Sequence, residues 1–254
     1  MRLFDTHAHY DDKAFDGERD EILQSLPEKG IELVLNAGTG EESSAASVAL
    51  AKKYQFIYAS AGIHPSEAYN VKEGWQTRII ELAGSEKCRA IGEIGLDYHY
   101  DFSPREMQKR IFDEQVSIAE SLNLPSIIHQ REAFSDTVDI LKCHPGARGV
   151  FHCFSGGRDT AKIILDMGFY ISLGGTITFK NAKKPPEVMA YVPAERIMIE
   201  TDCPYMAPHP YRGRRNDSSM LHVIVGVAAK IRGCTADDIA GITYENGREL
   251  FGIL

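Results

Sequence analysis

The chain has 254 residues, 43% hydrophobic and 25% charged, which is ample apolar material for a core and a length typical of one (β/α)8 barrel. Its formal net charge of −8 argues against a basic face that tracks along duplex DNA, but not against a short contact at a strand end where bound cations supply the positive charge. No apolar run reaches the roughly 18 residues of a membrane span and Met1-Arg2-Leu3-Phe4-Asp5 opens no apolar secretion core, while the five cysteines are scattered without a C-x-x-C pair, which argues against a disulfide framework or a structural zinc knuckle, so a cytoplasmic location is expected.

The first predicted strand, Leu3–Thr6, runs into Asp5-Thr6-His7-Ala8-His9. Histidines two apart in extended backbone turn their rings to one side. Strands are predicted next at Glu32–Asn36 and Phe56–Ser60, the latter leading into Gly62-Ile63-His64-Pro65. A fourth strand, Arg89–Glu93, ends in Gly92-Glu93; Asp97, a little further on, reads as a loop-shaping residue. Ser103–Leu122 is the clearest helix, with Ser103 as N-cap, Pro104 in the first turn and Glu106 completing a capping box. Met107, Ile111, Phe112, Val116, Ile118 and Leu122 recur along it at helical spacing, and Asn123 and Pro125 end it. Strands five and six, Ser126–His129 and Gly149–His152, both close on histidine. Strand seven is Phe169–Leu173, and strand eight, Arg196–Glu200, opens into Thr201-Asp202. Thr235 with Asp238 marks a final helix start leading into Ile239, Ile242 and Leu250.

Eight apolar strands alternating with helices, and no strong linker, predict a single (β/α)8 TIM barrel as one domain over 1–254, with a doubly wound open sheet as the alternative. In a barrel the catalytic groups gather at the C-terminal strand ends. Here those ends carry His7, His9, Glu93, His129, His152 and Asp202. Each alone has an ordinary explanation as a cap or a core histidine. Together they would be costly to bury without a shared partner. Neutral imidazoles with carboxylates suit Zn, Mn or related divalent ions. Cys153 and Cys203, next to two of these residues, are expected to face the core. His99, His144, His209 and His222 are read as non-catalytic, whereas His64 reaches the same strand-end face.

Taken in order, Asp5-Thr6-His7-Ala8-His9, Gly62-Ile63-His64-Pro65, Gly92-Glu93-Ile94-Gly95-Leu96-Asp97-Tyr98, His129-Gln130-Arg131-Glu132-Ala133, His152-Cys153-Phe154-Ser155-Gly156 and Glu200-Thr201-Asp202-Cys203-Pro204-Tyr205 form a series that resembles the TatD family of metal-dependent deoxyribonucleases, within the amidohydrolase superfamily. The resemblance spans essentially the whole chain. It implies that His7, His9 and Asp202 hold one ion, that His129 and His152 hold a second, and that Glu93 bridges the two. It also implies substrate contacts from His64 and Arg131. The sequence departs from the family pattern at Tyr10, where Leu is common, and after Arg212-Gly213-Arg214-Arg215-Asn216, where Asp217-Ser218-Ser219 replaces the usual Glu-Pro.

The expected activity is hydrolysis of DNA phosphodiester bonds by two divalent ions (Zn, Mn or Mg), at the ends of single strands, with Asp202 and Glu93 catalytic. Paired ions can activate water and stabilise the entering and leaving oxygens, and Asp202 is placed to orient the nucleophile or take its proton. Arg212, Arg214 and Arg215, after strand eight, are candidate contacts to the substrate backbone, as are Lys180, Lys183 and Lys184 after strand seven. The expected partner is DNA, with no membrane and no obligatory protein partner. The rival activity is a metal-dependent deacylase, an ester or amide hydrolase acting for example on aminoacyl-tRNA. A metal-binding protein without turnover is a third reading, which the full ligand set disfavours.

Overall fold

The computed structural model describes residues 1–253. Strands β1 (Leu3–Ala8), β2 (Ile31–Asn36), β3 (Ile57–Ala61), β4 (Cys88–Asp97), β5 (Ser126–Arg131), β6 (Gly149–Phe151), β7 (Tyr170–Leu173) and β8 (Ile197–Ile199) follow one another in the sheet in chain order. Helices α1 (Arg19–Ser25), α2 (Glu41–Lys53), α3 (Trp75–Ala83), α4 (Arg105–Ser121), α5 (Phe134–Lys142), α6 (Arg158–Asp166), α7 (Lys184–Tyr191), α8 (Leu221–Arg232) and α9 (Ala236–Phe251) alternate with them. This element order is that of the (β/α)8 class. All eight predicted strands are present. Among the described residues no helix is long and apolar enough to cross a membrane.

The chain divides into two compact units, Ala37–His152 on one side and Met1–Asn36 with Cys153–Leu254 on the other. In the split unit β1 pairs with β2 and β7 with β8, all parallel. Buried strand residues such as Leu3, Ile31, Ile171, Leu173, Ile197 and Ile199 supply its core, the continuous apolar run expected of strands covered on both faces. Phe4 meets Tyr244 and Phe251 edge to face, seating α9 on β1. That helix starts as predicted: Thr235 and Asp238 form a reciprocal capping box.

In the continuous unit β3, β4, β5 and β6 pair in parallel, over a core that includes Ile91, Ile127, Ile111, Phe112 and Val116. β4 extends beyond the predicted strand to Asp97. Its register against β5 shifts between Ile91 and Ile94, so Gly92-Glu93 is a bulge that re-aims the Glu93 side chain. Gly95 then passes so close to β5 that a Cβ there would lie 1.9 Å from the His129 carbonyl oxygen, at a φ of 143°. Only glycine fits.

The start of α4 corrects the sequence reading. Pro104 is the N-cap and no side chain caps the helix. Ser103 instead accepts from the Tyr69 N–H at 3.1 Å and donates to the Ser66 carbonyl at 3.2 Å, which leaves Glu106 without a capping partner.

Candidate metal centres

In the split unit, β1 and the loop after β8 run side by side. The Asp202 N–H donates to the His7 carbonyl at 3.0 Å, and the His9 N–H donates to the Cys203 carbonyl at 2.8 Å. This places Asp202 opposite both histidines. β8 ends at Ile199, and Asp202 sits beyond it in left-handed backbone with φ 57°, which a short polar residue tolerates better than most. Its direction therefore comes from the turn and not from strand alternation. His7 Nε2 and His9 Nε2 are 3.0 Å apart, with Asp202 Oδ1 3.4 Å from His9 Nε2 and 3.9 Å from His7 Nε2. Two nitrogens at about 2.0–2.1 Å from a tetrahedral cation are about 3.3 Å apart. Two imidazoles and a carboxylate at this spacing fit a divalent ion.

A buried network holds this cluster. Asp5 accepts from the Thr201 N–H at 2.9 Å, the Thr201 hydroxyl at 2.5 Å and the Ser218 hydroxyl at 2.6 Å. Burial raises its pKa to about 7 against the pull of those donors. The two departures from the family pattern meet here: the Tyr10 hydroxyl donates to Ser218 Oγ at 2.8 Å and accepts from the Ser218 N–H at 2.8 Å. Asn216 pins the same loop, donating to the carbonyls of Thr201 and Tyr205 at 2.9 and 2.7 Å.

In the continuous unit a second set of donors converges from β4, β5 and the end of β6. Glu93 Oε1 lies 2.9 Å from His129 Nδ1 and 2.8 Å from His152 Nε2, and those two nitrogens are 3.2 Å apart. His129 Nε2 faces Asp97 Oδ2 at 3.2 Å. An Nε2–H donated to Asp97 leaves the Nδ1 lone pair directed at the cluster, the arrangement by which an outer carboxylate fixes the tautomer of a metal ligand. Burial alone would lower the His129 pKa, but Asp97 and Glu93 outweigh it and raise it. Burial likewise opposes the Asp97 carboxylate, yet its bonds to His129 and to the backbone N–H groups of Tyr100 and His99 hold its pKa at about 2. Asp97 does shape a loop, as expected, and its second oxygen also orients His129.

His64 comes to the same place. Its Nε2 is 3.5 Å from Glu93 Oε1, and its ring meets that of His129 at 4.5 Å between centroids. Burial drives its pKa down to about 3, so the ring is neutral. Its Nδ1 accepts from the Ser66 N–H at 3.1 Å, which assigns the proton to Nε2. That nitrogen is a hydrogen-bond donor aimed at the cluster, not a lone pair for a cation.

Two buried glutamines of α4 went unnoticed in the sequence. Gln115 bonds both the N–H and the carbonyl of Ile63 at 2.7 and 3.0 Å. Gln108 accepts from the Asp97 N–H at 2.9 Å and donates to the carbonyls of Asp97 and Ser103. They fix the loops that carry His64 and Asp97. Only a polar residue interrupting an otherwise apolar helix face could have revealed them.

Arg131 ends β5 with its guanidinium 4.6 Å from the Tyr100 ring centroid. Arg212 lies 4.1 Å over Phe179, and Arg214 5.9 Å from the Tyr211 ring centroid. Arg215 is paired with Glu18 and donates to the Ala14 carbonyl. Lys180 precedes α7, Lys183 stands at its N-cap position without a side-chain capping bond, and Lys184 is its first residue. His99 bonds Glu132, His144 bonds Asp113 and Glu120, and His222 bonds the Lys29 carbonyl, while the His209 N–H donates to the Thr178 hydroxyl. Cys203 is buried as expected. Cys153 is only partly buried, because β6 stops at Phe151 and the backbone turns at Cys153 with φ 41°.

Residues 4–252 match the family model described as TatD related DNase. An uncharacterised metal-dependent hydrolase of Bacillus subtilis, YabD, is 42% identical over 254 residues, covering 99% of each chain. A protein of Escherichia fergusonii named 3′-5′ ssDNA/RNA exonuclease TatD is 33% identical over 260 residues, again covering 99% of each. The crystal structure of YjjV, a TatD homologue from Escherichia coli, superposes with a TM-score of 0.94 at 32% identity, covering 100% of this chain and 99% of that one. The fold is thus a (β/α)8 barrel, and the chain belongs to the TatD family of metal-dependent hydrolases.

Proposed function

We propose that this protein is a cytoplasmic deoxyribonuclease that removes nucleotides from the ends of single-stranded DNA. It would use two divalent ions (Zn, Mn or Mg), one held by His7, His9 and Asp202 and the other by Glu93, His129 and His152. The observation that carries the proposal is that each of these groups brings two imidazole nitrogens and a carboxylate oxygen together at ligand spacing. A divalent ion set against one carboxylate leaves each cluster with net positive charge, suited to an anionic phosphodiester. The family description and the name of the Escherichia fergusonii relative support nucleic acid as the substrate.

When bound, such ions supply an activated water and electrostatic stabilisation of the phosphoryl oxygens. The protein's own groups do the rest. Asp202 orients the attacking water and takes its proton. Asp97 keeps the His129 ring in one tautomer. His64, neutral and protonated on Nε2, donates a hydrogen bond to a phosphoryl oxygen. Arg131, Arg212 and Arg214 offer guanidinium groups to the backbone of the strand, whereas Arg215 would first have to leave Glu18.

The test is digestion of a single-stranded oligonucleotide, labelled at the 5′ end in one reaction and at the 3′ end in another, by metal-loaded protein, with and without chelator, alongside aminoacylated tRNA. Progressively shortened products that vanish with chelator, and no release of amino acid, are expected. Release of amino acid with an intact oligonucleotide would overturn the nuclease reading in favour of the deacylase.

A further inference from the structure

Among the described residues seven large hydrophobic side chains are exposed, and three of them, Tyr69, Tyr100 and Phe102, at 54%, 55% and 65% exposure, lie in the loops after β3 and β4. These are the loops that carry His64 and follow Asp97. The Tyr100 and Phe102 rings are parallel to within 2° with centroids 5.3 Å apart, an offset stack left open to solvent. The Arg131 guanidinium lies 4.6 Å from the Tyr100 ring centroid. The stack is fixed to the second cluster through one carboxylate: Asp97 Oδ1 accepts from the Tyr100 N–H and the His99 N–H at 2.9 Å each, and Asp97 Oδ2 faces His129 Nε2 at 3.2 Å. Ser103, next to Phe102, in turn accepts from the Tyr69 N–H at 3.1 Å.

We propose that Tyr100 and Phe102, with Arg131, form a stacking platform for a nucleobase of a single-stranded nucleic acid whose scissile end is engaged at the neighbouring metal cluster. This rests on the nuclease reading above and names its binding subsite. Exposed aromatic rings beside a cation match what a single strand presents, a flat base next to an anionic phosphate. A base inside a duplex is stacked on both faces and cannot use the platform, so the site favours unpaired strands. Because stacking needs only a ring face, the platform holds a strand without reading its sequence.

Two readouts separate this proposal from the nuclease reading. The first uses a phosphorothioate-protected strand carrying 2-aminopurine, whose fluorescence is quenched on stacking, bound to metal-loaded protein. Quenching is expected with the native protein, lost in Tyr100→Ala/Phe102→Ala, and retained in Tyr100→Phe, which keeps the ring. The second compares cleavage of an ordinary strand with cleavage of an abasic strand of the same length. The native preference for the base-bearing strand should shrink at least about fivefold in the double alanine variant, the lower end for loss of one base stack. No quenching by the native protein, or an unchanged preference in the double variant, would overturn the platform even if both strands are cut. Quenching without any cleavage would leave the platform standing and remove the nuclease reading.

Discussion

Asp97→Asn separates the two duties of one carboxylate. The amide oxygen can still accept from the Tyr100 and His99 N–H groups, as Oδ1 does now at 2.9 Å each, so the loop keeps its shape. The amide nitrogen then replaces Oδ2, which lies 3.2 Å from His129 Nε2. Two donors cannot face each other, so the imidazole moves its proton to Nδ1 or rotates away. Either response removes the Nδ1 lone pair from the cluster where Glu93 Oε1 lies 2.9 Å away. Losing such an outer partner weakens metal binding by about 10–100-fold, equivalent to roughly 1.4–2.7 kcal/mol. The assay is competition with a chelator of known affinity on native protein, Asp97→Asn, and, as a control, Glu132→Gln in the loop after β5, which pairs with the exposed His99. Equal affinity in Asp97→Asn and the native protein would refute the orienting role.

Three further outcomes follow from the geometry. Asp202→Asn should lower turnover of a labelled single strand by at least about 100-fold while binding persists; a mild loss would remove Asp202 from proton handling. Tyr10→Phe strips the buried Ser218 N–H of its acceptor and should cost about 1–3 kcal/mol in denaturant unfolding, with an unchanged midpoint counting against the network. His144, paired to Asp113 and Glu120 at 2.9 and 2.8 Å, has a raised pKa because, although burial works to lower it, the two carboxylates outweigh burial. A folded pKa above the unfolded value stabilises fully below about pH 6.5 and is lost as pH rises through the folded pKa, so the destabilisation caused by His144→Gln should be larger at pH 6 than at pH 8.5, and pH-independent loss would refute the ion pairs.

The strands were legible because buried parallel strands are short apolar runs bounded by turn residues, a pattern that survives without tertiary information. Their ends were less so. β4 continues through Gly92 and Gly95, residues that read as breakers, because close approach to β5 demands glycine there. β8 stops short of Glu200, and the aim of Asp202 comes from a left-handed turn tied to β1. Ser103 has the composition of a cap, but tertiary partners at Tyr69 and Ser66 claim its hydroxyl. The metal-ligand candidates stood out by residue type at strand ends. Asp97 and Gln115 did not, since their roles depend on partners distant in sequence, and Gln108 did not because it bonds the irregular turn between β4 and α4. Nor did pattern alone show that Tyr10 and Ser218 compensate one another across the chain.

Each of the two donor clusters is assigned one divalent ion, so the metal content of the protein, measured by mass spectrometry, decides the assignment. Native protein purified without chelator should carry close to two ions per chain. His7→Ala/His9→Ala and His129→Ala/His152→Ala should each lose one ion and retain the other. Full metal content in either double variant, or native protein that binds no divalent ion at saturating concentration, would overturn the two-ion assignment.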